Sequence, residues 1–289
     1  MEKSGRLGVL LTLMAATLFG VGAPVAADFF RMVDPLHSAQ LRSIGTAFII
    51  AWLAWRRGQT NHGGRLPWLI VLGAILAAVT LSFYVAIDRL GVGPGVTIQF
   101  TAPLAVLAWM RLVQGRHVGR GAWVAAWVAI LGIALVSGAY QPERLDPIGL
   151  AAAAVASLTF AGYLLVGEHL GRSLPVLTVS AYGFAFSALI LLLVTDLRLP
   201  PAEPLRWLQL LWILVMGTVV PFLLEVKALQ LADPGAVGVA ASLEPVVGTL
   251  VAWVWLGQTL TLTQALGAAL TVGGITAIQR VVARSAPLI

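Results

Sequence analysis

Apolar stretches of span length follow one another along this chain, and polar or turn residues gather at the breaks between them. At about 1.5 Å of rise per residue, a stretch of roughly 20 residues crosses a hydrocarbon core near 30 Å thick. The pattern predicts about ten spans, over residues 7–27, 35–55, 66–87, 94–113, 120–139, 147–167, 174–195, 207–229, 235–257 and 262–281. The breaks carry Asp34-Pro35, Arg56-Arg57-Gly58, Gly91 to Gly95, Gln114 to Arg120, Gln141 to Pro147, Pro200-Pro201 and Asp233-Pro234. Such residues end an apolar helix.

The pattern also repeats. Gly8, Ala15 and Phe19 recur 141 residues on as Gly149, Ala156 and Phe160, and Pro103, Gly115 and Gly132 recur 142 residues on as Pro245, Gly257 and Gly274. Two five-span repeats follow, residues 1–140 and 147–281, with 282–289 as a cytoplasmic tail. An odd number of spans in each half starts the second half on the opposite face of the membrane. The expected fold class is an all-α membrane protein whose ten transmembrane helices form two inverted five-helix repeats. Secondary transporters have this architecture and hold substrate near the midplane, between the repeats.

Composition narrows the function. The chain is 59% hydrophobic and 10% charged over 289 residues, which leaves little for a soluble domain. Its net charge of +6 sits at span ends rather than along one face, so it reads as a topology signal and nucleic acid is not an expected partner. Of the 18 Lys and Arg residues, twelve fall on the side of the N-terminus and six on the other. The excess predicts an inner-membrane protein with both termini cytoplasmic. Leu7 to Ala27 reads as a first span rather than a cleavable leader. Trp52, Trp55, Trp68, Trp123 and Trp207 fall near span ends, where an indole anchors at the interface.

Enzymatic chemistry finds little footing. The absence of cysteine excludes disulfides and thiolate chemistry. His37, His62, His117 and His169 lie in loops or at span ends, so no paired imidazoles hold zinc or haem at depth, and no cofactor is expected. Neither a Gly-x-Ser-x-Gly elbow nor a Walker motif is present, which removes ATP-driven pumping by this chain alone.

Ionisable groups at membrane depth are costly and are functional candidates by default. Glu244, in span nine before Pro245, is either a proton-carrying or cation-contacting carboxylate, or a buried acid bonded to backbone freed by the kink. Glu225, on one helical face with Thr218 and Phe222, is a structural partner at the inner gate or a substrate contact. Arg42, with His37 and Gln40, and Asp88, one turn after Tyr84, lie at the outer mouth of the cavity or pair at the surface. Pro103 and Pro245 are repeat-related prolines that break helical hydrogen bonding at matching depth, which assigns them with Glu225 and Glu244 to gating or coupling. Gln99, Tyr163, Tyr84, Thr101 and Ser242 are the candidate substrate contacts, neutral polar groups suited to a zwitterion. Ala269, Gly273 and Ala277 make a small-residue stripe expected to pack inside the bundle.

The segments Gly217-Thr-Val-Val-Pro-Phe-Leu-Leu-Glu225, Ala241-Ser-Leu-Glu-Pro-Val246 and Trp255-Leu-Gly257, with Gln99-Phe-Thr-Ala-Pro-Leu104 in the first half, resemble the EamA type of the drug/metabolite transporter superfamily. The resemblance covers essentially the whole chain. One departure is Gln258, where the family often has Glu, which questions a loop salt bridge. The resemblance implies a basket of helices around a central cavity, with spans five and ten peripheral, and alternating access. It implies export of neutral amino acids, aromatic ones among them, most resembling threonine/homoserine-type and aromatic amino-acid exporters. The expected partners are a small-molecule substrate and the lipid bilayer, with the protein working as a monomer. Carriage of nucleotide sugars, drugs or small amines is the alternative within transport, and a membrane-embedded lipid-modifying enzyme the alternative outside it.

Overall fold

The computed structural model describes residues 3–113, 115, 119–136, 146–171, 173–194, 196–229, 231, 240–241 and 243–285. Among these residues all regular structure is helical. The helices are α1 Lys3–Phe29, α2 Pro35–Arg56, α3 Leu66–Leu90, α4 Val92–Gln99, α5 Ala102–Leu112, α6 Arg120–Val136, α7 Pro147–Gly171, α8 Val176–Val194, α9 Pro204–Leu214, α10 Val220–Leu229, α11 Leu243–Leu256 and α12 Leu262–Ser285. A π-helical turn, Val215–Val219, joins α9 to α10.

Five described stretches are long and apolar enough to cross a membrane: Gly5–Phe29, Leu66–Leu90, Pro147–Gly171, Val176–Val194 and Pro204–Glu225. Phe48, Leu193 and Val254 stand 77%, 85% and 82% exposed on the outside of the bundle, a placement that lipid tolerates and water does not. This is a multi-pass membrane protein.

Local chemistry sets the helix ends. Asp34 caps α2 by accepting from the Leu36 and His37 amides at 3.0 and 3.2 Å, and Pro35 opens that helix with its fixed φ. Partial burial works against ionising Asp34, but the bonds from His37 and Leu36 outweigh it and hold the carboxyl below its usual range. Gly91, at φ +85°, supplies the turn that lets α4 follow α3 with no intervening loop. The fourth span is therefore two helices, α4 and α5, separated at Phe100 and Thr101.

The core sits where helices of the two halves meet. α2 packs against α8, α3 against α7 and α8, α6 against α12, and α1 against α10 and α11. Ion pairs join them at the end of the bundle where α1 finishes. Asp28 accepts from Arg206 at 3.2 Å and from Gln209 at 2.7 Å, while Arg89 reaches Asp146 at 3.5 Å. His37 lies between Asp34 and Asp196. At the opposite end the α2–α3 loop is tied to α8 by Thr178 and Tyr182, which donate to the Gln59 and Thr60 carbonyls at 2.8 and 3.0 Å.

One packing expectation is corrected. Gly273 is exposed with nothing within 4 Å of the position a Cβ would take, and Ala269 is exposed too. The tight face of α12 is offset by one residue. There a Cβ on Gly274 would come within 2.7 Å of the Ala125 carbonyl, and Gly132 of α6 abuts Thr271. Spacing of small residues marks a stripe, but only the neighbour's position decides which stripe is covered.

Candidate functional site

The sequence places chemistry at the centre through helix irregularities. Pro221 has no amide proton, and its ring would crowd the carbonyl four residues back in a regular α-helix. The chain widens just before it into the π turn, where the Val220 amide donates to the Val215 carbonyl. Widening turns Thr218 toward α2. Arg42 donates from Nε to Thr218 Oγ1 at 3.0 Å, and Thr218 donates to the Ile213 carbonyl at 2.9 Å.

Arg42 also lies over the ring of Tyr84, 5.7 Å from its centroid, so α2, α3 and the π turn converge on one guanidinium. Tyr84 is buried and packs on Phe30 at 5.0 Å. Glu244 interacts electrostatically with both Arg42 and Glu225. Glu225 interacts in turn with Tyr163. Tyr163 stacks on Phe160 at 5.9 Å and meets Phe222 at 6.4 Å, and Phe160 meets Phe100 at 6.2 Å. Glu244 thus lies within electrostatic range of one cation and a second carboxylate, and the aromatic rings adjoin Glu225.

Close backbone approach holds these parts. A Cβ on Gly20 would come within 2.9 Å of the Glu244 carbonyl oxygen and 2.7 Å of Val247 Cβ. A Cβ on Gly22, two residues on and so on another face of α1, would make an ordinary van der Waals contact with Gly217 Cα of the π turn at 3.5 Å. Helix α1 is wedged between the two glutamate-bearing segments, and the absence of a Cβ at Gly20 makes the approach to α11 possible.

The other sequence candidates fall as follows. Gln99 is the half-buried last residue of α4, at the break in the fourth span. Thr101 is buried, with its hydroxyl engaged by the Ile98 carbonyl at 2.7 Å and by Ser157 at 2.9 Å, so it joins the fourth span to α7. Pro103 is the second residue of α5 and Pro245 the buried third residue of α11. Pro103 opens its helix, where the missing amide is harmless in a first turn, whereas Pro245 is preceded by further helical residues at 240 and 241. Ser242 lies outside the described residues. Asp88 is exposed, and its neighbour Arg89 pairs with Asp146. Gln258 accepts from the Val92 amide at 2.9 Å, so a side-chain cap on α4 occupies the position questioned as a lost salt bridge.

Sequence reasoning placed Arg42 at the mouth or the surface. The signal available was its depth: it is the eighth residue of a 22-residue helix, two turns past the cap. Among the described residues no group of His, Asp and Glu has the arrangement of a metal site.

A bundle of membrane-crossing helices with charged and aromatic groups at its centre is the construction of a membrane transporter. The sequence profile of the EamA-like transporter family matches this chain twice, over residues 6–138 and 147–280. The chain belongs to that family, within the drug/metabolite transporter superfamily. It is 30% identical to the threonine/homoserine exporter RhtA of Escherichia coli (strain K12) over 270 residues, covering 91% of this chain and 88% of that protein. It is 27% identical to the uncharacterized transporter YwfM of Bacillus subtilis (strain 168), with 95% and 94% covered. A solved crystal structure shares the fold at a TM-score of 0.69 and 18% identity, over 97% of this chain and 98% of that one.

Proposed function

We propose that this transporter exports neutral amino acids, aromatic ones among them, across the cytoplasmic membrane by alternating access. The observation that carries the reading is the central charge pattern. Arg42 offers a guanidinium to a substrate carboxylate, while Glu225 and Glu244 offer carboxylates to its ammonium. Tyr163, Phe160 and Phe222 supply an apolar surface for the side chain. Tyr84 and Gln99 complete the polar lining. The 30% identity to a threonine/homoserine exporter supports an amino-acid substrate, and the aromatic wall supports larger side chains than threonine.

Alternating access rests on two inverted halves, residues 1–140 and 147–281. Their support is a packing pattern in which exchanging the halves exchanges like with like. The contact of α3 with α7 corresponds to that of span eight with α1, while α2 with α8 and α6 with α12 correspond to themselves. Asp28, the last residue but one of α1, lies on the side where Asp146 immediately precedes α7, the relation an inverted pair requires. Both termini are then cytoplasmic, Pro103 and Pro245 mark equivalent hinge positions, and the monomer is the working unit.

Counterflow of radiolabelled phenylalanine, threonine and homoserine into proteoliposomes tests the substrate class. Saturable counterflow for phenylalanine, abolished in Arg42→Gln, is the expected result. Counterflow of nucleotide sugars or amines with none for any amino acid would overturn the reading.

A further inference from the structure

The two ends of the bundle treat their arginines differently. Where α1 ends, each described arginine has a carboxylate: Arg31 and Arg206 with Asp28, Arg89 with Asp146, and Arg198 with Asp196. At the opposite end Arg56, Arg57 and Arg65 crowd one short connection, and no ion pair joins any of them to an acid among the described residues. The sequence explains the contrast, since no Asp or Glu occurs between Asp34 and Asp88.

The connection is a fixed platform. Gly58, Gly63 and Gly64 take positive φ values of 63°, 55° and 75°. Asn61 Oδ1 and His62 Nδ1 accept from the Gly63 and Gly64 amides at 2.9 and 3.2 Å, folding the loop on itself. Thr178 and Tyr182 bind its carbonyls, and the His62 ring stands edge-on to Tyr182 at 6.0 Å. Beside this platform Trp52, Trp55 and Trp68 stand 56%, 67% and 45% exposed, and Arg56 lies over the Trp52 ring at 5.8 Å.

We infer that this corner, Arg56 and Arg57 with Trp52, Trp55 and Trp68, is a binding site for the headgroup of an anionic phospholipid. The indoles sit at the depth of the glycerol and carbonyl groups, where one side of the ring meets hydrocarbon and the other water. The guanidiniums, free of protein carboxylates, face the phosphate layer, and their planar donors match two phosphate oxygens at once. A zwitterionic phospholipid returns its own cation to the site and gains much less. Because the loop is bonded to α8 before any lipid arrives, little ordering opposes binding.

The test measures thermal unfolding of the purified full chain in neutral detergent, titrated with short-chain phosphatidylglycerol, short-chain phosphatidylcholine or glycerol phosphate. Phosphatidylglycerol should raise the unfolding temperature saturably, and the other two should not. Arg56→Gln with Arg57→Gln should weaken the apparent affinity about 25-fold, at roughly fivefold per arginine. Arg111→Gln with Arg120→Gln removes equal charge from another connection and should leave the affinity as in wild type. An equal response to phosphatidylcholine, an equal loss in the Arg111 and Arg120 variant, or an unchanged affinity in the Arg56 and Arg57 variant would overturn the inference. A matching response to glycerol phosphate would overturn it in favour of a soluble anion. Should the double variant fail to fold, Arg57→Gln alone carries the same test at about a fivefold loss.

Discussion

Arg42 and Thr218 meet across 3.0 Å, an arginine from the second helix bonded to a hydroxyl that only a π-helical turn presents to it. The pair joins the two halves of the chain at its centre and fixes where a guanidinium stands. Thr218→Val keeps shape and removes the acceptor. The bond is worth on the order of 1 kcal/mol, so KM for an amino acid should rise about fivefold in proteoliposomes, with Thr218→Ser restoring it. Equal KM values in all three proteins would remove Thr218 from the positioning of Arg42.

Gly20 tests the wedge. An added methyl would meet Val247 Cβ and the Glu244 carbonyl inside van der Waals distance, so α11 must move. Gly20→Ala should cost about 1–3 kcal/mol in detergent unfolding and slow transport. Gly273→Ala meets open space and should do neither. Like behaviour of the two variants would show that α11 yields freely.

Arg206 tests the closure at the Asp28 end. Its side chain is 11% exposed and that of Asp28 16%, so removing the cation leaves a largely buried carboxylate with only Arg31 and Gln209 as partners among the described residues. Arg206→Ala should destabilise by about 1–3 kcal/mol in thermal unfolding, and Arg206→Ala with Asp28→Asn should recover much of it. A double variant as unstable as the single one would show that the loss lies in packing and not in charge.

Asp146 gives the pH dependence. The Gly149 amide bond and the nearby Arg89 outweigh desolvation and hold its carboxyl below the usual range. A group whose pKa is lower folded than unfolded adds stability above the unfolded value, near pH 4, and loses it as pH falls through the lowered value. The gap in unfolding temperature between wild type and Asp146→Asn should be constant from pH 7 to about pH 5 and close below about pH 4. A constant gap at acid pH would assign the effect to the cap geometry alone.

Glu244 is the proposed coupling residue, and Glu244→Gln keeps its shape while abolishing titration. This variant should still exchange substrate at saturating concentration, with a raised KM, and lose acceleration by an imposed pH gradient, read as counterflow rate with and without the gradient. A wild-type response would leave Glu244 a binding residue only.

The sequence alone determined that the chain is helical and membrane-embedded, because apolar stretches of span length have no other stable home. It also located the glutamates, the tyrosines and the repeat-related prolines, since polar groups among apolar ones are conspicuous in a string. The tertiary structure decided what a string does not encode: which helices meet, and on which face. Arg42 reads from sequence as a residue near a helix start, and it became central only because the π turn before Pro221 brings Thr218 to it. Thr101 reads as a lining residue, yet Ser157, 56 positions away, engages its hydroxyl. The Ala269–Gly273–Ala277 stripe is as regular as the one actually covered, and the position of α6 chose its neighbour Gly274. Periodicity fixes the direction in which a side chain leaves its helix, while what it meets depends on contacts between residues far apart in sequence, and those exist only once the helices have packed.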